Sequence, residues 1–274
     1  MKARRRTAAV AALVGALGLS TLNAPTAWAA DTGITVSDIV VNKGKPIVVG
    51  TSKVVEPPFG FRVTLPRGYT TDDPFDYSAA PFLYRGSITR AADTGDNYID
   101  GSYTCFIIDS RRLRCEGKLY IDPHPAQEYA DSNSDATSWK VGVSLRLWKA
   151  DGSLKAGELE TRSLTVPLKR LSKVTVDASP EPVARRGTLT VTGKLTRANW
   201  NTKKYDAYGD RKVSLQFRAK GTDTFRTVKK ATTSRTGVLK AKVTASADGY
   251  YRWVYQGNSA TGAATSTADY VDVR

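Results

Sequence analysis

Two prolines two residues apart, Pro180 and Pro182, sit inside a run of strand-forming residues, and few folds accept them there. Val174, Thr175 and Val176 precede them. After Gly187 the chain alternates, with Leu189, Val191 and Leu195 on one face. Proline donates nothing to a β-ladder, so the Pro-Glu-Pro segment either interrupts the first strand or lies on a sheet edge. Leu171 to Leu195 therefore reads as the entrance to a second β-unit, separate from everything before it.

The residues beyond it support that reading. Candidate strands are 174–177, 188–195, 212–220, 225–232, 238–244, 249–256 and 268–273. Val213, Leu215 and Phe217 alternate inward, as do Leu239, Ala241 and Val243, and then Tyr251, Trp253 and Tyr255. This number of short strands in about a hundred residues is the immunoglobulin-like count. The segment Asp248-Gly-Tyr-Tyr-Arg-Trp253 resembles the tyrosine-corner entry to a sixth strand.

Residues 33–168 show short strands between long polar connections. Runs at 34–41, 46–51, 61–65 and 81–88 are β-like, and 66–80 and 89–101 read as acidic loops. Trp139, Val141, Val143, Leu145 and Leu147 alternate strongly. Cys105 and Cys115 flank a polar Asp109-Ser-Arg-Arg112 tip, so 103–108 and 113–121 read as hairpin arms joined by a disulfide. The expected architecture is all-β: two immunoglobulin-like β-sandwich domains in tandem, over 30–171 and 172–274.

Residues 1–29 read as a signal peptide. Lys2, Arg4, Arg5 and Arg6 form a basic start, 8–22 an apolar core, and Ala27-Trp28-Ala29 an A-x-A cleavage site. The apolar core is too short to span a bilayer comfortably. A secreted protein follows, without a transmembrane segment in the mature chain, released or held at the envelope without a covalent bond. An even cysteine count fits that oxidising compartment.

Charge divides unevenly. The whole chain carries 41 Lys and Arg against 26 Asp and Glu, a net of +15. Residues 31–172 balance at 18 of each sign, whereas 173–274 hold 19 basic and 8 acidic residues. The mature excess of +11 thus belongs to the second unit. Such asymmetry implies an acidic partner, or only a solubilising surface. Exported proteins rarely meet nucleic acid, so none is expected; an anionic cell-wall polymer or carbohydrate is the expected partner.

Several segments together resemble a known group: Asp177-Ala-Ser-Pro-Glu-Pro182, Leu189-Thr-Val-Thr-Gly-Lys-Leu195, Leu215-Gln-Phe217, Asp248-Gly-Tyr-Tyr-Arg-Trp253 and Asp269-Tyr-Val-Asp-Val273. The first unit adds Val40-Val-Asn-Lys-Gly-Lys-Pro-Ile-Val-Val-Gly50 and Trp139-Lys-Val141. These are similar to secreted two-domain proteins of undefined function from filamentous Gram-positive bacteria. The resemblance implies export and an immunoglobulin-like fold. Members often bear the label "calcium-binding protein", and the resemblance carries over no catalytic residue.

The calcium label can be weighed on the residues. Asp131-Ser-Asn133-Ser-Asp135 opens like an EF-hand loop, but Ala136 stands where glycine is needed and Gly142 where a bidentate glutamate is needed. A looser cage would draw on Asp93, Asp96, Asn97 and Asp100, or on Asp72, Asp73 and Asp76; equally, these are solvated turn residues. No cofactor is expected. Catalysis has little to work with, since the single His124 stands between Pro123 and Pro125 with no nucleophile or orienting partner in sequence reach.

The most suggestive binding segment is the loop 198–210. Trp200, Tyr205 and Tyr208 interleave there with Lys203 and Lys204. Aromatic faces stack on sugar rings while ammonium groups meet anions. Alternatively, the aromatics fold back over the open end of the core and the lysines solvate the loop. The leading expectation is a secreted, non-enzymatic binding or envelope-associated protein. The alternatives are a structural or calcium-stabilised protein, and an undetected hydrolase or inhibitor.

Overall fold

Strand alternation with one apolar face needs a partner sheet, and the chain supplies two pairs of them. The structure is a computed structural model that describes residues 31–95, 97–124 and 131–274. The expected signal peptide lies outside the described residues. Residues 35–170 form β1 (Thr35–Val41), β2 (Ile47–Val49), β3 (Pro58–Thr64), β4 (Tyr77–Tyr84), α1 (Ile88–Thr94), β5 (Tyr98–Ile99), β6 (Gly101–Asp109), β7 (Arg112–Leu119), β8 (Ser138–Trp148) and β9 (Leu154–Arg170). Residues 172–271 form β10 (Ser172–Val174), β11 (Asp177–Ser179), β12 (Thr188–Asn199), β13 (Lys204–Ala207), β14 (Lys212–Ala219), β15 (Arg226–Thr232), β16 (Val238–Thr244), β17 (Gly249–Tyr255), β18 (Ala264–Thr265) and β19 (Asp269–Val271).

In the first sandwich, sheet β1-β3-β7-β6 faces sheet β2-β9-β8-β4-β5. The inward row of β8 (Trp139, Val141, Val143, Leu145 and Leu147) is buried, as the alternation requires. Phe59, Phe61 and Val63 from β3 meet it across the gap. The β6–β7 hairpin pairs Cys105 directly with Cys115, and the two form a disulfide. Cys115 is buried and Cys105 exposed.

The segment 89–101 is not simply a loop: α1 begins it. Ser87 caps this helix by accepting from the Arg90 N–H, and Gly95 ends it at φ 74°. A helix of two turns is too short to show a 3.6-residue period, which is why alternation missed it.

The second sandwich places β12 at the centre of one sheet, paired with β10, β11, β13 and β16. The other sheet runs β15-β14-β17-β18, with β19 also on β17. The prolines interrupt the first strand: β10 and β11 each pair with β12, β11 ends at Ser179, and Val183 then bridges to Val273 in parallel. Trp253 fills the centre and donates its indole N–H to the Thr192 carbonyl at 2.9 Å. That contact needs Gly193, because a Cβ there would stand 2.9 Å from the Trp253 ring.

The sandwiches meet without a slack linker. Arg170 ends β9 and Ser172 begins β10, leaving only Leu171 between. Leu171 donates its N–H to the Val49 carbonyl at 2.8 Å and accepts from the Ala198 N–H at 2.8 Å. Arg170 likewise pairs with both Ala260 and Gly262. Gly262 lies so close to Val48 that a Cβ would reach to 2.8 Å of its side chain.

Candidate functional site

The segment 198–210, read from sequence as a loop whose aromatics either bind a ligand or fold back on the core, folds its aromatics inward. It is the β12–β13 hairpin, with its turn over Trp200 to Lys203 and Lys203 at φ 55°. Trp200 is fully buried, and it packs in the core of the first sandwich rather than its own. Its backbone N–H donates to Asn133 Oδ1 at 3.0 Å, and its indole N–H to the Val49 carbonyl. Trp200 therefore offers no free face for a sugar ring. Sequence could not show this, because the partner core is supplied from residues far away in the chain.

Its neighbours have comparable roles. Tyr205 is half-buried against the first core, with the Lys173 ammonium 3.8 Å from its ring centre. Tyr208 is buried beneath the Arg197 and Arg211 guanidiniums, and its hydroxyl accepts from Asn258 Nδ2 at 2.8 Å. Burial by itself would raise the Tyr208 pKa, but hydrogen bonds from Thr261 and Asn258, with the Arg197 guanidinium beside it, outweigh burial and bring it down to about 8. Its partner Tyr255 moves up, first through burial and then through Tyr208 itself. Lys203 is half-buried, and its Nζ has no hydrogen-bond partner among the described residues. Desolvation lowers its pKa, opposed by Asp131, Asp135 and Asp122. Of the five expected residues, only Lys204 is exposed.

The segment that opened like an EF-hand serves the same junction. Ser132 and Asp135 form a reciprocal capping box around a short 3-10 turn. Asn133 then joins the sandwiches through three hydrogen bonds: its Oδ1 takes Trp200, its Nδ2 donates to Asn199 Oδ1, and its backbone N–H donates to Asn201 Oδ1. Asp135 accepts from Arg85 at 2.6 Å, and Arg85 lies over the Trp139 ring. Of the looser cage, Asp93 lies in α1, Asn97 Oδ1 accepts from Arg85 at 2.5 Å, and Asp100 is desolvated enough to raise its pKa. Asp96 lies outside the described residues. His124 contacts Asp122 through Nδ1, and the Tyr120 hydroxyl donates to the same carboxylate at 3.4 Å.

A different surface gathers the second sandwich's cations. Along β14, Ser214, Gln216 and Arg218 face outward; opposite them on β17 stand Val254, Arg252 and Tyr250. Lys230 on β15 flanks Ser214, and Tyr270 on β19 flanks Tyr250. The Arg252 guanidinium lies 3.7 Å from the centre of the Phe225 ring, and its Nε donates to Gln216 Oε1 at 2.9 Å. Arg218 lies 4.3 Å from the Tyr250 ring centre and donates to the Thr222 carbonyl. Tyr250 and Tyr270 pack at 5.2 Å, and Lys220 reaches the Tyr270 hydroxyl. At the other end the same sheet forms a cleft of about 770 Å³, lined by Asp210, Arg211, Lys212, Ser214, Lys230 and Asn258 among others.

The charges of the two sandwiches are handled differently. In the first, Arg62, Arg85, Arg112, Arg114, Lys118 and Arg162 each pair with a carboxylate. In the second, among the described residues, only Lys220 and Arg274 do so. Four arginines there (Arg197, Arg211, Arg218 and Arg252) rest on aromatic rings instead. Sequence reasoning missed the Arg218–Tyr250 and Arg252–Phe225 contacts, because cross-strand neighbours emerge only once the register is known.

Among the described residues no helix is long and apolar enough to cross a membrane. No known family's sequence profile matches the chain, and no curated protein matches it in sequence. The proposed kinship with secreted proteins of Gram-positive bacteria thus has no sequence-family support. Solved structures with likeness include the mouse nectin-like molecule 4 ectodomain, at 11% identity and TM-score 0.25, covering 86% of this chain and 65% of that one. A marsupial T cell receptor follows at 9% identity and TM-score 0.36, covering 88% and 73%. The Escherichia coli adhesin FdeC matches at 12% identity and TM-score 0.33, covering 89% and 65%. At these scores the likenesses carry no argument about what this chain does; its tandem β-sandwich architecture rests on its own sheets.

Proposed function

We propose that the chain is a secreted, non-enzymatic binding protein whose basic second sandwich contacts an anionic polymer of the cell envelope. One observation carries the reading: that half holds 19 cations against 8 carboxylates, and nearly all of the cations lack an ion-pair partner within the fold. Unpaired cations on a small domain sum to a field that attracts polyanions and repels other cationic surfaces. The disulfide fits an oxidising compartment and supports the extracellular placement.

The test uses the full chain, because Trp200 would be stripped of its partner core in an isolated second sandwich. Sedimentation with an insoluble anionic wall polymer is compared at two salt concentrations. The Debye length falls from about 10 Å at 0.1 M to about 3 Å at 1 M, so binding should weaken steeply. Absence of binding at low salt would overturn the proposal.

A further inference from the structure

We infer that the outward face of the β15-β14-β17-β19 sheet is a dedicated track for a linear polymer that carries an oxyanion, carboxylate or phosphate, on successive repeats. The inference rests on the functional reading above and names its site.

Three features set this face apart from a merely basic surface. Its cations lie in a line. Lys212, Arg218 and Lys220 follow β14, and Lys230 and Arg252 flank it. At about 3.4 Å per residue, the eight steps from Lys212 to Lys220 span roughly 27 Å. That length suits several repeats of an extended polymer and exceeds what one small anion needs.

The two central arginines are held in place before any ligand arrives. Arg252 is stacked on Phe225 and tied by Nε to Gln216; Arg218 is stacked on Tyr250 and tied to the Thr222 carbonyl. Each of these bonds engages part of the guanidinium and leaves other N–H groups for a ligand. A stacked guanidinium is a planar fork that has already lost most of its rotamer freedom, so less entropy is lost when it grips an oxyanion. Among the described residues neither arginine has a carboxylate partner, so the positive charge of each is left uncompensated by an ion pair.

The track also has distinct ends. At one end it deepens into the 770 Å³ cleft, whose lining includes Lys212 and Lys230 with Ser214 and Asn258, and Asp210 at its margin. At the other it closes on Asp248, whose carboxylate pairs with Lys220 and accepts from the Tyr270 hydroxyl. The opposite sheet provides an internal control. Lys240 and Lys242 on β16 are exposed cations of the same sandwich, and among the described residues neither lies over an aromatic ring as Arg218 and Arg252 do.

The experiment compares three double variants of the full chain: Arg218→Gln with Arg252→Gln, Arg218→Lys with Arg252→Lys, and Lys240→Gln with Lys242→Gln. Polygalacturonate and inorganic polyphosphate are the probes, at fixed moderate salt, and thermal melts confirm that each variant folds. The arginine-to-glutamine pair should weaken binding about tenfold, as expected for two charge-assisted contacts. The lysine-for-arginine pair, which keeps the charge but loses the fork, should recover only part of it. The β16 pair should change binding less than about twofold. A loss with polygalacturonate alone, polyphosphate alone or both supports the track and identifies the oxyanion it takes. Equal losses in the β14–β17 and β16 pairs would overturn the track while leaving the diffuse electrostatic reading intact. If the unmodified chain binds neither probe, the functional reading itself fails, and the track with it.

Discussion

Trp200 of the second sandwich gives its indole N–H to the carbonyl of Val49 in the first, across 151 residues of chain, at 3.3 Å. The same carbonyl accepts from Leu171 in the connection between them. One acceptor thus fixes the linker and the inserted side chain together, using both of its lone pairs.

Trp200→Ala should therefore act on the joined molecule as well as on its own hairpin. Emptying a fully buried tryptophan site costs about 3–5 kcal/mol. Urea denaturation should show a loss of that size, and the loss should be accompanied by greater protease sensitivity around residues 168–175. A cost below about 1 kcal/mol would contradict the packing described.

Reduction of the Cys105–Cys115 disulfide should destabilise the first sandwich by about 2–3 kcal/mol on the chain-entropy view, given a sequence separation of 10. Cys105 is exposed, so reductant can reach the bond without global unfolding. Mass spectrometry of the protein purified without reductant should find no free thiol, and the Cys105→Ser/Cys115→Ser chain should melt earlier.

Tyr208 should ionise ahead of the other tyrosines. Its pKa is brought down to about 8 from 10. A group whose folded-state pKa lies below its unfolded value adds stability as the pH climbs from about 8 towards 10 and loses that gain as the pH falls back through 8. A titration of tyrosinate absorbance should show one early step. Tyr208→Phe should abolish it, and Arg197→Ala should move it upward.

Millimolar calcium should leave the melting temperature unchanged. Asn97 Oδ1 is already occupied by Arg85, and Asp135 by Arg85 and the Ser132 N–H, so these oxygens are committed within the fold. A ligand that binds only the native state would raise the melting temperature by mass action. A rise that disappears in Asp100→Ala would show that the acidic segment does hold the ion.

Period-two burial made much of the fold legible in advance. The inward rows of β8, β14, β16 and β17 follow their apolar alternation, and the hairpin position of the two cysteines follows from the polar tip between them. The helix α1 escaped because seven residues hold too few turns to declare a period. The β12–β13 hairpin escaped because Asn199, Asn201, Lys203 and Lys204 read as loop chemistry, and its tryptophan answers to a core from the other sandwich. The candidate face was hidden for a related reason. Arg218, Tyr250 and Arg252 occupy outward slots that resemble ordinary solvent positions until strand pairing sets them side by side.

The one-residue connection has a mechanical consequence. Leu171 is hydrogen-bonded on one side to Val49 and on the other to Ala198, and Arg170 is laced to the loop at Ala260 and Gly262. Separating the two sandwiches would require these bonds to break, because no slack residue lies between them. A polymer gripped by the second sandwich would thus pull on the first as on the other end of a stiff strut, with no tether between them to take up the strain.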